Sequence, residues 1–201
     1  PGPIIVPLES TRRRLRQAGV PEKFIVRAPV GVDAGLCESS APAPASQRLS
    51  AFDPHPGTLL AALKRLRADW PELPVTLHTR RPPRRLPGHV TSANPQHWQD
   101  TCRTASLAYC GVNREHEVLA AQAMGLPALA PDTPAAHEYI RDGETGLLHK
   151  RGDAKHLAEK LGALLTDASL RKTLGSRARE EACNRTWDKT ASLILATMEN
   201  L

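Results

Sequence analysis

The chain is 201 residues long, which excludes a disulfide-stapled miniprotein and allows one large α/β domain or one and a half small ones. Forty per cent of the residues are hydrophobic and only 3% aromatic, mean hydropathy is -0.38, and no apolar run approaches the roughly 20 residues of a membrane-spanning helix, which excludes an integral membrane helix. The net charge is +6, but residues 1–110 carry 15 basic and 8 acidic side chains against 12 and 13 in residues 111–201. The excess lies in Arg12-Arg13-Arg14-Leu15-Arg16 and Arg80-Arg81-Pro82-Pro83-Arg84-Arg85. Such clusters either dock phosphate or form a solvated face. No aromatic residue interleaves them as a single-strand binder requires, so nucleic acid is a disfavoured partner. The opening Pro1-Gly2-Pro3 is not a charged-then-apolar leader, and the expectation is a cytoplasmic chain without a membrane span.

Short β-branched or apolar runs alternate with segments of helical period, the pattern of a parallel sheet covered by helices on both faces. Ile4-Ile5-Val6 reads as a strand, Ser10 to Ala18 as a helix stopped by Gly19, and Phe24 to Val32 as the next strand. Residues 35–46 hold small residues and prolines without period and read as a linker, so a domain boundary is expected there. Arg48 to Phe52 is a weak strand. Leu59, Leu63 and Leu66 then mark a helix running to about Trp70. Strands are predicted at 75–78, 89–92, 107–110, 127–130 and 146–149, with helices over 95–105, 115–124 and 134–141 between them. Three helices close the chain. Asp153 caps the first, whose Leu157, Leu161, Leu164 and Leu165 form an apolar stripe; the second spans about 167–183 and the third begins near Thr186.

Cys37, Cys102, Cys110 and Cys183 match neither a zinc pattern nor a Cys-x-x-Cys redox motif and are expected to be reduced thiols. The eight histidines are scattered without the i, i+4 pair of a helical metal site, so neither a metal nor another cofactor is expected.

Several phrases stand in a characteristic order. Glu9-Ser10-Thr11 with Gly19-Val20-Pro21 and Val30-Gly31-Val32-Asp33 comes first, and Leu119-Ala120-Ala121-Gln122-Ala123-Met124-Gly125-Leu126-Pro127 follows. Glu138-Tyr139-Ile140-Arg141-Asp142-Gly143-Glu144-Thr145-Gly146-Leu147-Leu148 is the most specific stretch, and Thr186-Trp187 opens the last helix. Together they resemble the second half of a retaining nucleotide-sugar glycosyltransferase of GT-B architecture, family-4 type. The resemblance implies a Rossmann-like parallel sheet with helices on both faces. It divides the chain into a closing β-α-β piece of a first domain (1–34), a linker (35–46) and a nucleotide-sugar-binding domain (47–201).

In that family an Arg and a Lys stabilise the departing nucleoside diphosphate, and two carboxylates eight residues apart hold the sugar and ribose. Ala51-Phe52-Asp53-Pro54-His55-Pro56-Gly57 resembles the cationic motif, with Ala51 and Pro56 where the charges belong. The carboxylate positions fall on Val112 and Ala120, and the Gly-Gly turn on Pro134-Ala135. A register a few residues off would give Arg48 the phosphate and Glu115 or Glu117 the sugar, with Thr133 and Glu138 completing the donor set. Glu115 and Glu117 sit in the first helical turn, where they complement the dipole themselves and repel phosphate. Glu138 is either a site acid or a helix-start residue. The Arg80–Arg85 loop is a substitute cation or a solvated loop.

Three functions follow. One is a sugar-transferring domain, taking a UDP- or GDP-type nucleotide-diphosphate sugar to an unknown acceptor, inactive as this chain alone and completed by a first domain or a partner subunit. The second is a non-catalytic interaction module of the same fold. The third is a basic nucleic-acid-binding protein.

Overall fold

The structure, a computed structural model, describes residues 2–38, 47–94, 96 and 98–199. Strand β1 (Ile4–Val6), helix α1 (Glu9–Gln17) and strand β2 (Ile25–Arg27) form a β-α-β unit whose strands pair in parallel. Gly19, at φ +87°, ends α1 in the left-handed region that favours glycine. The strand expected over 24–32 is confined to three residues. A 3-10 turn takes Glu22–Phe24, and Pro29, which has no N–H for a ladder, follows two residues after β2. Val32 instead bridges Thr186, next to the start of the last helix, and its N–H bonds Arg185 O at 2.7 Å. A Cβ on Gly31 would stand 2.5 Å from Trp187 N, so glycine there lets the two segments touch.

Residues 34–38 form a short helix, α2 (Ala34–Glu38), at the start of the segment read as a linker; the rest of that segment lies outside the described residues. The main sheet has six parallel strands, β3 (Leu49–Phe52), β4 (Val75–His78), β5 (Val90–Ala93), β6 (Leu107–Cys110), β7 (Ala128–Pro131) and β8 (Gly146–His149), in the order β5-β4-β3-β6-β7-β8. The order reverses between β3 and β6, which makes this the topological switch point of a doubly wound sheet.

The two-residue period of the strands sorts their side chains between two cores. Leu49, Ala51, Leu77, Leu107, Tyr109, Leu129 and Leu147 face α3 (Gly57–Leu66) and α6 (Ala154–Thr166), which bring Leu59, Leu63 and Leu66 and Leu157, Leu161, Leu164 and Leu165. Phe52, Ala108, Cys110, Ala128, Ala130 and Leu148 face α5 (Glu115–Ala123) and the shorter α4 (Trp98–Arg103). Burial on both faces explains why the strands read as apolar runs rather than alternating ones. With few aromatics, the second core is filled by alanines on both sheet and helix. Behind α5 lies α7 (Ala168–Cys183), whose Gly175 packs so close to the Gly125 carbonyl that no Cβ fits between them. Asp153 caps α6 as its position predicted, accepting from Lys155 N and His156 N at 3.0 Å. The last helix, α8 (Trp187–Glu199), returns to the first unit, where Thr190 Oγ1 donates to Pro29 O at 2.8 Å. Among the described residues no helix is long and apolar enough to cross a membrane.

Two further expectations are corrected. The helix predicted over 134–141 is a single 3-10 turn, Ala136–Glu138. Thr133 Oγ1 accepts from Ala136 N at its start, and Thr145 Oγ1 takes Arg141 N at 2.9 Å, which removes the next N–H from a helical ladder. Cys37 and Cys183 are not free thiols but a disulfide, while Cys102 and Cys110 are reduced and buried. The pair is 146 residues apart, and α2 meets α7 only once the chain has folded. Replacing Cys37 by Ser is expected to lower stability by about 2–4 kcal/mol, read from denaturant unfolding without reductant, and added reductant is expected to abolish the difference from the unsubstituted protein.

Candidate functional site

The carboxyl ends of β3 and β6 open into two loops, Asp53-Pro54-His55-Pro56 before α3 and Gly111-Val112-Asn113-Arg114 before α5. Between them lies a cavity of about 520 Å³ lined by Asp53, His55, Tyr109, Arg114, His149 and Arg151 among others. A second cavity of about 500 Å³ opens on the β4 side, walled by His78, Thr79, Arg80, Arg81, Trp98 and His116. Pro54, His55 and Arg114 belong to both, so they form the ridge between two halves of one cleft.

The cleft floor is polar where a sheet end is ordinarily apolar. Asp53 is only 6% exposed, and its Oδ1 accepts from His55 N at 2.9 Å. A Cβ on Gly111 would stand 2.7 Å from that oxygen, so glycine makes room for the carboxyl. Burial pushes the Asp53 carboxyl above its ordinary value, against the pull of the His55 N–H, the charges of His55 and Arg114, and Tyr109. The Tyr109 phenol is raised in turn, by burial first and then by the Asp53 charge. His149 is 1% exposed and tilts against Tyr109 with ring centres 5.8 Å apart. Its Nδ1 stands 3.0 Å from Lys150 O, so that nitrogen carries the proton and Nε2 is left as a bare acceptor. On the other side, His78 stacks on Phe52 at 4.6 Å, with Nε2 3.1 Å from Ser50 Oγ and 2.7 Å from Thr101 Oγ1. Burial lowers both imidazoles below their ordinary value. Arg114 pairs with Glu117 at 3.0 Å, yet its buried Nε has no partner among the described residues.

The residues singled out by sequence divide into two groups. Arg48 precedes β3 and is exposed at the amino edge of the sheet, where its backbone bonds Ser106. The parallel strand carries everything before it away from the cleft, so Arg48 cannot meet a ligand there. Ala51 and Ala120 are buried in the two cores, Pro56 leads into α3, and Val112 reaches the cleft wall. Glu117 lines the β4-side cavity but is neutralised by Arg114, and Glu115 lines a crevice beside Tyr139. Thr133 is held by its bond from Ala136 N. Glu138 points away from the cleft: its carboxylate accepts from Glu9 N at 2.9 Å and Ser10 N at 3.1 Å and pairs with Arg27 at 3.2 Å. It is a helix-start residue, but for α1 rather than for its own turn.

Sequence reasoning missed Asp53, Tyr109, Arg114 and His149. The only available signal was a polar residue at the end of an otherwise apolar run, as in Leu107-Ala108-Tyr109-Cys110 and Gly146-Leu147-Leu148-His149. Among the described residues no three His, Cys, Asp or Glu side chains converge as a metal site.

Residues 116–181 match the family model described as glycosyl transferases group 1. Among curated proteins, the chain is 37% identical over 65 residues to the capsular polysaccharide biosynthesis glycosyltransferase CapM of Staphylococcus aureus, covering 32% of this chain and 17% of that protein. It is 28% identical over 166 residues to the lipopolysaccharide core biosynthesis glycosyltransferase LpsE of Rhizobium meliloti, covering 75% of this chain and 48% of that protein. The matched stretches thus span less than half the length of these relatives. Among solved structures, Anabaena Alr3699/HepE in complex with UDP-glucose superposes with a TM-score of 0.86 at 16% identity, covering 100% of this chain and 64% of that one. The likeness extends over both the first β-α-β unit and the six-stranded sheet, and it bears out the expected Rossmann-like fold.

The buried groups fix how stability depends on pH. His78 and His149 titrate below the ordinary 6.5 when folded, so stability is full above pH 6.5 and falls as pH drops below it, because the unfolded imidazoles take up protons first. Urea midpoints are expected to show this slope, and the double change His78→Gln, His149→Gln to flatten it. Asp53 acts with the opposite sign: its ionisation above the ordinary 3.8 costs the folded state. Asp53→Asn is expected to raise the urea midpoint at neutral pH, a gain that disappears below pH 3.8.

Proposed function

We propose that the chain carries a domain of the glycosyl transferases group 1 type and that its cleft takes a nucleotide-diphosphate sugar, as the donor domain of a retaining GT-B glycosyltransferase. The observation that carries this reading is Arg114. It stands on the ridge shared by both cavities, and its buried Nε finds no partner among the described residues. The Arg114 side chain is 34% exposed, and its remaining guanidinium N–H groups are the donors a diphosphate oxygen would meet.

The rest of the cleft suits the same ligand. Arg80 and Arg81 bring two more cations to the β4 side, beside Trp98, whose partly exposed ring offers a flat surface to a base. On the β8 side, the Asp53 carboxyl is an acceptor suited to sugar hydroxyls. In transfer with retention the leaving nucleoside diphosphate gains charge, and arginines aimed at it favour that departure. Here the charge comes from loop residues, Arg114, Arg80 and Arg81, instead of the uncharged Ala51 and Pro56. The domain division follows: residues 1–34 belong to a first GT-B domain, 35–46 link, and 47–201 bind the donor. The Cys37–Cys183 bond favours an oxidising compartment over the cytoplasm expected from the sequence.

A second reading rests on Val112 and Ala120. Neither can supply the carboxylate its position calls for, which favours a non-catalytic interaction module or a chain whose own transfer activity is lost. Calorimetric titration with UDP, GDP and their sugars separates the two, with UDP-glucose, the ligand named for the Anabaena protein, as first probe. Saturable millimolar or tighter binding is expected, with Arg114→Ala weakening it about tenfold and Arg48→Ala leaving it unchanged. No heat with any nucleotide would leave the interaction module. Transfer of labelled sugar to water by this chain alone is expected to stay at background.

A further inference from the structure

We propose that a second site, beside the donor cleft, binds a phosphate group, and that this phosphate belongs to the sugar acceptor. The site is a cavity of about 410 Å³ at the seam where α1 meets the loops after β6 and β7. Its wall includes Arg13 and Arg14 from α1, Arg151 from the loop after β8, and the polar residues Ser10, Asn113 and Thr133.

Three arginines line this cavity, and among the described residues none of them has a countercharge. The other arginines of α1 are paired, Arg12 with Glu9 and Glu22, and Arg16 with Glu22 at 2.8 Å. Glu138, the remaining acid at this end of α1, is taken by two backbone N–H groups and Arg27. Among the described residues Arg13, Arg14 and Arg151 have neither a side-chain hydrogen bond nor an ion pair, and no carboxylate lines the cavity. Like charges gathered at one opening repel each other, and a bound anion reverses the sign of that interaction.

The neutral groups on the wall are donors as well. Thr133 Oγ1 already accepts from Ala136 N, so its hydroxyl hydrogen is free to donate outward. Ser10 contributes a second hydroxyl and Asn113 an amide. Asn113 is the one non-glycine residue with positive φ among those described, at 59°, in a backbone conformation asparagine tolerates. A wall of three arginines from two elements, with hydroxyl and amide donors between them, fits an oxyanion that offers several oxygens in different directions. A phosphate monoester does so better than a planar carboxylate.

The position of the cavity gives the phosphate its role. Val112, Asn113 and Arg151 line both this cavity and the one holding Asp53 and His149. A ligand anchored by its phosphate on the α1 side therefore presents its remaining hydroxyls across Val112 to the donor side, the juxtaposition that group transfer between two substrates requires. Assigning the phosphate to an acceptor rests on the donor reading above, whereas the binding of a phosphate at Arg13 and Arg14 does not.

The test titrates the whole chain with glycerol 3-phosphate and inorganic phosphate, and separately with UDP. Glycerol 3-phosphate is expected to bind equally with and without saturating UDP. The change Arg13→Ala with Arg14→Ala should weaken it about tenfold or more while UDP affinity holds, and the corresponding lysine pair should restore part of the loss. Co-sedimentation with phosphatidylcholine vesicles, with and without phosphatidic acid, separates a soluble phosphate monoester from a lipid-borne one. Retention that requires phosphatidic acid, Arg13 and Arg14 assigns the site to a lipid-borne phosphate. Glycerol 3-phosphate and vesicle binding that are both absent, or indifferent to Arg13 and Arg14, or displacement of glycerol 3-phosphate by UDP, would overturn the proposal. UDP binding that fails while glycerol 3-phosphate still depends on Arg13 and Arg14 removes the donor reading and leaves the phosphate site standing. Circular dichroism melting of each variant confirms that it is folded.

Discussion

The placement of α1 depends on one carboxylate 128 residues further along the chain. Leu8, at the N-cap of α1, has no side chain able to accept, so the first N–H groups of that helix need a partner from elsewhere. Glu138 supplies it, accepting from Glu9 N at Oε2 and from Ser10 N at Oε1, while Arg27 donates to the same Oε2. Its own carbonyl is held by Arg185 Nη1 at 2.9 Å, and the Arg185 guanidinium stands 5.4 Å from the centre of the Tyr139 ring. A negative charge at a helix amino end also meets the positive end of the dipole. The first unit, the 3-10 turn after β7 and the approach to α8 therefore meet at one residue, and the direction in which α1 presents Arg13 and Arg14 follows from it.

The same contact removes Glu138 from the cleft and changes where acidity is found there. The buried carboxyl on the cleft floor is Asp53, held close to Gly111 and raised by its burial, with Arg114 and His55 as the nearest compensating charges. His149 and His78, kept neutral by burial, add acceptors without adding charge. The cleft thus separates its functions by side: cations on loops that reach the rim, and neutral or protonatable acceptors on strand ends below. Loops adjust without disturbing the sheet, whereas the strand-end groups are fixed by packing on both faces.

How much of this was legible in the sequence depends on the range over which each feature is decided. The Leu157, Leu161, Leu164 and Leu165 stripe, the Asp153 cap and the strands at 75–78, 107–110 and 146–149 are local patterns, and they appear where the periodicity placed them. The long strand over 24–32 and the helix over 134–141 fail because Pro29, Thr133 and Thr145 redirect the backbone hydrogen bonds, which hydrophobic periodicity does not register. The Cys37–Cys183 bond and the Glu138 contact join residues 146 and 129 positions apart, a separation that spacing rules do not reach. Arg48 was misplaced for a simpler reason. It stands at the wrong end of a parallel strand, and strand direction decides which residues reach the cleft.

The absence of charge at Ala51 and Ala120 accords with the packing around them. Ala51 is fully buried between β4 and β6 on the face covered by α3, and Ala120 is buried in the core around α5. A charge introduced at either position would have to enter a close-packed apolar core, where an unpaired ion costs several kcal/mol, so such a single substitution conflicts with the fold as it stands. Asp53 is the first residue after β3 that escapes this constraint, and Arg114 the last before α5. Once β3 and α5 are packed with small apolar side chains, charge enters the cleft through its loops, and Asp53 and Arg114 mark the two points where it does.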